Sequence, residues 1–195
     1  AQPFLDAVAA PTAAPGGGSV AALAGALGAS LGQMVAGLSR KKKSQAPHFD
    51  ALSEALAAFQ SASRTLAEAI DRDAASFDAV MAAYKLPQDP PDAKRVRDTA
   101  IEHALKGASG VPMEVARACA KVFDELGQLE AISSPSMVSD IRVARLMAAA
   151  AVRGALENVA INLASITDAA FAARLRSEST ALLSRIAENR AVSSR

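Results

Sequence analysis

The side chain best placed by its neighbours to do chemistry is Asp73. Leu66, Ile70, Asp73, Phe77, Val80 and Tyr84 recur at spacings of three and four, so one helical face carries them all. Asp73 therefore falls inside an apolar stripe, whereas Asp71 and Asp78 fall on other faces and read as solvated. A carboxylate taken out of water costs free energy unless it is paired or protonated. Desolvation also raises its pKa unless a cation or hydrogen-bond donors offset it. A carboxyl group poised this way suits general acid–base chemistry. The same pattern accommodates a structural Asp that bridges helices or subunits.

A second polar set lies further on. Asn158, Asn162 and Ser165 share a helical face above Gly154 and Ala151, beside an apolar face of Val159, Leu163 and Ile166. Two amides four residues apart offer the donors and acceptors that a heteroaromatic ligand needs, or they satisfy a helix–helix contact. Asp140 follows Ser139 near the start of the same segment, where the helix dipole favours a carboxylate and a capping role is open to it. Gly16-Gly17-Gly18-Ser19 puts free backbone N–H groups at a helix N-terminus, a generic site for an anion or a carbonyl. It matches neither a Walker loop nor a dinucleotide fingerprint. The basic run Arg40-Lys41-Lys42-Lys43 reads as a solvated helix end. If it binds anything, a polycarboxylate tail suits it better than nucleic acid, since no aromatics are interleaved for base stacking. Cys119, among Ala and Val, reads as an inert core thiol, and His103 as a surface residue.

The elements that must position these groups are helices. Ser19 is a plausible cap for a helix running to about Leu38, and Asp50 for a second reaching about Tyr84. Gln88-Asp89-Pro90-Pro91-Asp92 is the clearest loop. A third helix is expected from about Asp92 to Ala108, and a fourth from Pro112 in its first turn to about Leu129. After the break at Ser133-Ser134-Pro135-Ser136, a fifth is expected from about Val138 to Thr167 and a sixth from about Asp168 to Asn189. Long helices joined by short loops imply an all-α fold, an antiparallel bundle of about six helices. Residues 1–195 read as a single domain.

Composition agrees. About a quarter of the 195 residues are Ala, aromatics are 4% and Trp is absent, which argues against an all-β fold. One Cys and two His exclude a disulfide framework and argue against a metal site. A net charge of +1, with no charged tail, gives no reason to expect nucleic acid. The stretch Ser19–Leu38 is long enough for a membrane span, but its Ala and Gly, with Ser30 and Gln33 inside, favour a buried helix that another backbone approaches closely. No membrane association is expected. The N-terminus does not read as a signal peptide, and with one Cys the expected location is the cytoplasm.

Several segments taken together resemble the cyclodeaminase/cyclohydrolase family of folate enzymes, which includes the C-terminal domain of formimidoyltransferase-cyclodeaminase and bacterial methenyltetrahydrofolate cyclohydrolases. The likeness starts at Phe4-Leu5 and runs through Ala14-Pro15-Gly16-Gly17-Gly18-Ser19-Val20, then Met34-Val35 and Leu38, and Lys42-Lys43. It continues through Asp73-Ala74-Ala75-Ser76-Phe77-Asp78-Ala79-Val80-Met81, Lys85-Leu86-Pro87 and Val111-Pro112-Met113. Ser139-Asp140, Asn158-Val159-Ala160-Ile161-Asn162-Leu163 and Thr167-Asp168 complete it. The sequence departs from the family pattern at Ser133-Ser134, where Gly-Asn is usual, and at Lys41, where Gly precedes the basic pair.

The resemblance implies an all-helical homodimer with folate in a cleft near the subunit interface and Asp73 as the catalytic carboxyl. It implies a substrate site that includes Gly16, Gly17, Gly18 and Ser19. Asp140, Asn158 and Asn162 would orient the pterin, and Lys42 and Lys43 would meet the carboxylates of folate, polyglutamylated forms included. No metal and no cofactor beyond the tetrahydrofolate substrate is implied. The reaction implied is that of a formimidoyltetrahydrofolate cyclodeaminase, with methenyltetrahydrofolate cyclohydrolase as the alternative and a formimidoyltransferase as a fused or separate partner. The Ser133-Ser134 departure keeps open a non-catalytic folate-binding or dimerisation module.

Overall fold

A computed structural model describes residues 1–192. Among them lie six α-helices: α1 (Gln2–Ala9), α2 (Gly17–Arg40), α3 (Phe49–Tyr84), α4 (Pro91–Ile132), α5 (Val138–Leu163) and α6 (Ala169–Val192). Short 3₁₀ turns at Lys43–His48 and Pro135–Met137 precede α3 and α5. Helices α2 to α5 form an antiparallel ring in which each contacts the next and α5 closes on α2. The register of α2 on α3 is marked by Ser30 facing Ser63 at 2.8 Å and Arg40 facing Ser53 at 3.4 Å. α6 docks outside, on α4 and α5, through the Arg117–Glu178 and Arg185–Asp124 ion pairs and the buried Ala172, Leu175, Leu182 and Ile186.

Close packing along α2 comes from its glycines. A Cβ on Gly28 would lie 2.9 Å from the Ala144 carbonyl oxygen, and one on Gly25 would lie 2.3 Å from Cys119 Sγ. One on Gly32 would lie 2.9 Å from the Phe59 ring. The small residues of α2 thus admit the α5 backbone at Gly28 and the side chains of α4 and α3 at Gly25 and Gly32. Two helical stretches, Gly17–Arg40 and Pro135–Leu163, are long and apolar enough to cross a membrane. Part of that apolar surface on α2 and α5 is buried in the core, and part of it, including Val20, Leu27, Met34 and Leu38 of α2, is exposed. Burial pushes the Cys119 thiol up to about 12, so it stays protonated at neutral pH.

Several boundaries differ from those expected. Helix α1, which buries no side chain, lay outside the sequence-based set. Ser19 is not the cap of α2: Gly16 is, and Ser19 is the third helical residue. Asp50 sits in the first turn of α3 behind His48. α5 stops at Leu163 rather than Thr167, and Asp168 caps α6 by accepting from the Phe171 N–H at 3.0 Å.

The expected third and fourth helices are one. α4 runs 42 residues straight through the buried Pro112. A proline has no N–H, so the carbonyl four residues earlier loses its helical partner. That carbonyl belongs to Ala108, and the Asn162 side-chain amide of α5 donates to it at 2.9 Å. An amide supplied by a neighbouring helix therefore replaces the missing donor and lets the helix continue. Truncating Asn162 should strand a buried carbonyl, so Asn162→Ala is expected to cost about 1–3 kcal/mol in chemical denaturation. In a Pro112→Ala background the backbone supplies the donor, and the same truncation is expected to cost less than about half as much. Strict additivity of the two changes would show that they are not coupled.

Candidate functional site

The ring places Asp73 at a position that the sequence would otherwise fill with a hydrophobe. On α3, Leu52, Phe59, Leu66 and Val80 are buried and follow one another at intervals of seven or fourteen residues. Asp73 is the missing member of that series, turned like them toward the bundle. It reaches the first turn of α2, where four N–H groups of any helix lack an internal acceptor. Gly16, the capping residue, has no side chain to offer them. Asp73 serves from the adjacent helix: its Oδ2 accepts from Ser19 Oγ at 3.0 Å, and the Ser19 backbone N–H also donates to the carboxyl.

This contact exists because Gly18 has no side chain. A Cβ there would stand 2.1 Å from Asp73 Oδ1 and 2.5 Å from its Cγ. Gly17 faces α5, where a Cβ would make ordinary van der Waals contact with the Asn158 amide, 3.4 Å from its Nδ2. Asn158 Nδ2 donates to Gly154 O at 2.8 Å, which holds the amide at the helix surface. The N-terminus of α2 is thus flanked by a carboxyl on one side and an amide on the other, with bare backbone between them.

Two influences act on the Asp73 carboxyl. Burial raises its pKa from the ordinary 3.8, and the two Ser19 donors pull it back; burial prevails. The group is therefore a better base than a surface aspartate and a usable acid closer to neutrality. One turn onward, Ser76 Oγ donates to the Asp73 carbonyl oxygen at 2.7 Å. Ser76 also edges an apolar trough of about 710 Å³ between α3 and α4, walled by Ala79, Ala83, Ala100, His103 and Gly107. That volume lies within the range of small-molecule clefts.

The residues expected to form one site fall into two groups. Gly16, Gly17, Gly18, Ser19, Asp73, Asn158 and Asn162 gather at one end of the bundle, with Asn162 engaged on Ala108 O. Lys42, Lys43 and Asp140 lie at the other end. Lys42 Nζ donates to Ser134 Oγ at 2.6 Å and Ser136 Oγ at 3.0 Å, and Ser134 N–H donates to Ser39 Oγ at 3.1 Å. Asp140 sits in the first turn of α5 beyond this loop, and Lys43 is exposed in the adjoining 3₁₀ turn. At 1.5 Å per helical residue the two ends of α2 are about 35 Å apart. The sequence does not reveal the trough beside Ser76, nor that Ser134, a departure from the family pattern, fastens the lysine end of α2 to the start of α5.

A model of the family Formiminotransferase-cyclodeaminase matches residues 1–181. The chain is 38% identical over 181 residues to formimidoyltransferase-cyclodeaminase of Sus scrofa, an alignment covering 92% of this chain and 33% of that protein. It is 37% identical over 182 residues to methenyltetrahydrofolate cyclohydrolase of Methylorubrum extorquens, covering 93% of this chain and 88% of that one. It therefore spans about a third of the first relative and most of the second. Among solved structures, formiminotetrahydrofolate cyclodeaminase of Thermotoga maritima superposes with a TM-score of 0.87 at 29% identity, covering 96% of this chain and 89% of that chain.

The Gly18 contact gives a direct test of the site's geometry. Gly18→Ala should leave helix content intact, because Ala is the better helix former and the obstructing group is a movable side chain. The added methyl should expel the carboxyl toward water. The Asp73 pKa, followed by carboxyl-carbon NMR, is then expected to fall toward the ordinary value. An unchanged raised pKa would contradict the contact.

Proposed function

The chain belongs to the Formiminotransferase-cyclodeaminase family, and from that premise we propose that it is a one-carbon folate enzyme, a formimidoyltetrahydrofolate cyclodeaminase. The observation that carries the reading is the half-buried Asp73 carboxyl held at the bare N-terminus of α2. In the proposed reaction N10 of 5-formimidoyl-tetrahydrofolate attacks the carbon of the protonated formimidoyl group, and a tetrahedral carbon bearing an amino group bridges N5 and N10. Asp73 takes the proton that N10 must lose. It then delivers a proton to the departing nitrogen, the carbon–nitrogen bond breaks, and ammonia and 5,10-methenyl-tetrahydrofolate are released. One carboxyl with a raised pKa can do both steps. Holding N10 against the one-carbon unit supplies much of the remaining acceleration. Asn158, beside the same helix end, offers an amide to the pterin, and the alanine-walled trough next to Ser76 offers a flat apolar surface.

The cyclohydrolase reaction is the second reading. In it water adds to the methenyl carbon and one carbon–nitrogen bond opens, with Asp73 in the same role. The methenyltetrahydrofolate cyclohydrolase relative, matched over 88% of its length, favours it. The run Asn158-Val159-Ala160-Ile161-Asn162-Leu163 followed by Thr167-Asp168 favours the cyclodeaminase. So does the Thermotoga cyclodeaminase, which is covered over 89% of its own chain.

The working form is a homodimer in this reading. Val20, Leu27, Met34 and Leu38 are exposed on α2, and with the partly buried Ala24 and Leu31 they alternate at spacings of four and three along its whole length. That is the pattern of a seam awaiting another helix. Two α2 seams laid antiparallel about a two-fold axis would bring the Lys42 end of one copy to the Asp73 end of the other. The 35 Å separation within one chain would then become proximity between chains, with Lys42 and Lys43 meeting the glutamate carboxylates of a folate whose pterin lies at the partner copy's acid.

Two measurements test this. Following the methenyl chromophore with formimidoyl- and methenyl-tetrahydrofolate should show turnover of at least one. Asp73→Asn is expected to lower it by about 10²–10⁴-fold. Asn carries no charge to desolvate, so thermal stability at pH 8 should hold or rise. Turnover of neither substrate by pure protein would defeat the enzyme reading, and full activity of the Asn variant would remove Asp73 from it. For the dimer, a Lys42→Glu/Lys43→Glu chain mixed with an Asp73→Asn chain should recover about a quarter of wild-type activity, because only mixed dimers hold one intact site. No recovery from two chains that are each inactive alone would overturn the shared site, and an active Lys42→Glu/Lys43→Glu chain would place the lysines in a separate function.

A further inference from the structure

We infer that Ser19 is a positioning residue for Asp73, holding the carboxyl through both of its charge states by redirecting a single hydroxyl hydrogen. The inference rests on the acid–base reading of Asp73. Ser19 is 0% exposed, so it cannot itself meet a bound folate in this arrangement. Its Oγ lies 3.0 Å from each of two acceptors, Asp73 Oδ2 and the Ile70 carbonyl oxygen one turn earlier on α3. A hydroxyl has one hydrogen to give and lone pairs with which to accept.

When the carboxyl is ionised, the hydroxyl donates to Oδ2. When the proton rests on Oδ2, the carboxyl donates to Oγ and the hydroxyl turns to the Ile70 carbonyl. When the proton rests on Oδ1, the first arrangement persists. With the carboxyl ionised or protonated at Oδ2, Oδ2 and the Ser19 hydroxyl keep their partners and no heavy atom has to move. A buried carboxyl that must gain and lose a proton in each turnover otherwise strands a polar group in one of its states.

The surroundings leave this task to Ser19. On α2 the nearest ionisable residue in sequence is Arg40, at the far end of the helix. On α3, Asp71 and Asp78 are exposed, and Arg72 is paired at 2.6 Å with Glu114 of α4. On α5, Arg153 and Glu157 are exposed and Asn158 is neutral. Burial and the Ser19 donors are the influences resolved on Asp73.

The test is Ser19→Ala, with Ser19→Cys as a volume-conserving weak donor. With one donor to the carboxylate lost, the Asp73 pKa by carboxyl-carbon NMR should rise by roughly one pH unit in the Ala variant. The Cys variant should rise by less. The acid limb of the kcat profile should move upward with it, so activity is lost first at low pH and recovers as pH rises. KM should stay within about twofold, since Ser19 is fully buried. An Asp73 titration that does not move in either variant overturns the inference; should the Ala variant not fold, the Cys variant alone decides. Because the NMR titration needs no turnover, its outcome is separate from that of Asp73→Asn, whose full activity would instead overturn the acid–base reading.

Discussion

A carboxyl group can rest against a helix only where the helix has no side chain in the way. That constraint governs this molecule. Gly18 gives the Asp73 carboxyl its seat, and Gly25, Gly28 and Gly32 repeat the concession toward Cys119, the Ala144 carbonyl and Phe59. The chain thus concentrates its smallest residues on the helix that contacts α3 and α5 most intimately. The ordinary consequence is close packing, which gains dispersion contacts at the cost of conformational entropy in each glycine. At the α2 N-terminus the same economy has a chemical consequence. It exposes backbone N–H groups to a side chain from another helix and lets that side chain be acidic.

Asp73 also repairs a defect that the glycines create. A helix beginning Gly16-Gly17-Gly18 has no capping side chain of its own, and the Ser19 hydroxyl points across to α3 rather than back to its own first turn. The carboxyl supplies the acceptor from outside. In return the helix end supplies donors that keep a half-buried carboxyl ionisable. Asn162 and Pro112 show the same logic in a second place: a backbone group orphaned by one helix is satisfied by a side chain of its neighbour. Both repairs occur at the same end of the bundle, which ties the shape of the site to the continuity of α4.

What could be read from the sequence follows from this distinction between local and crossed interactions. The oddness of Asp73 was legible because periodicity along one helix suffices to show a carboxyl among hydrophobes. The small residues of α2 were legible as a mark of close approach, though not which helix approached. Pro112 was misread because its local meaning is a helix start; only the amide of Asn162, fifty residues away in the chain, allows the helix through. For the same reason the sequence could not tell whether Asn162 faced a ligand or a carbonyl. Ser19 looked like a cap on local grounds, and its bond to α3 is a tertiary fact. Ser134 shows in the sequence only as a departure from the family pattern, because its bond from Lys42 joins the end of α2 to a loop ninety-two residues on.

The separation of Lys42 from Asp73 has a different character, since it was implicit in the sequence all along. The helix from Ser19 to Arg40, with Lys42 just beyond its end, sets a distance of roughly 30 Å or more. In the proposed reading, a tetrahydrofolate at Asp73 would not carry its first carboxylates that far along the same chain. Either the lysines serve another end or a second copy supplies them. The α2 seam bears on that choice, because its exposed Val20, Leu27, Met34 and Leu38 run along the helix joining the two ends. Burying such a seam against itself is favourable in proportion to the apolar area removed from water. An antiparallel pairing about a two-fold axis lays unlike ends together without any further device. The stability of the pair and the completeness of the site would then come from the same surface.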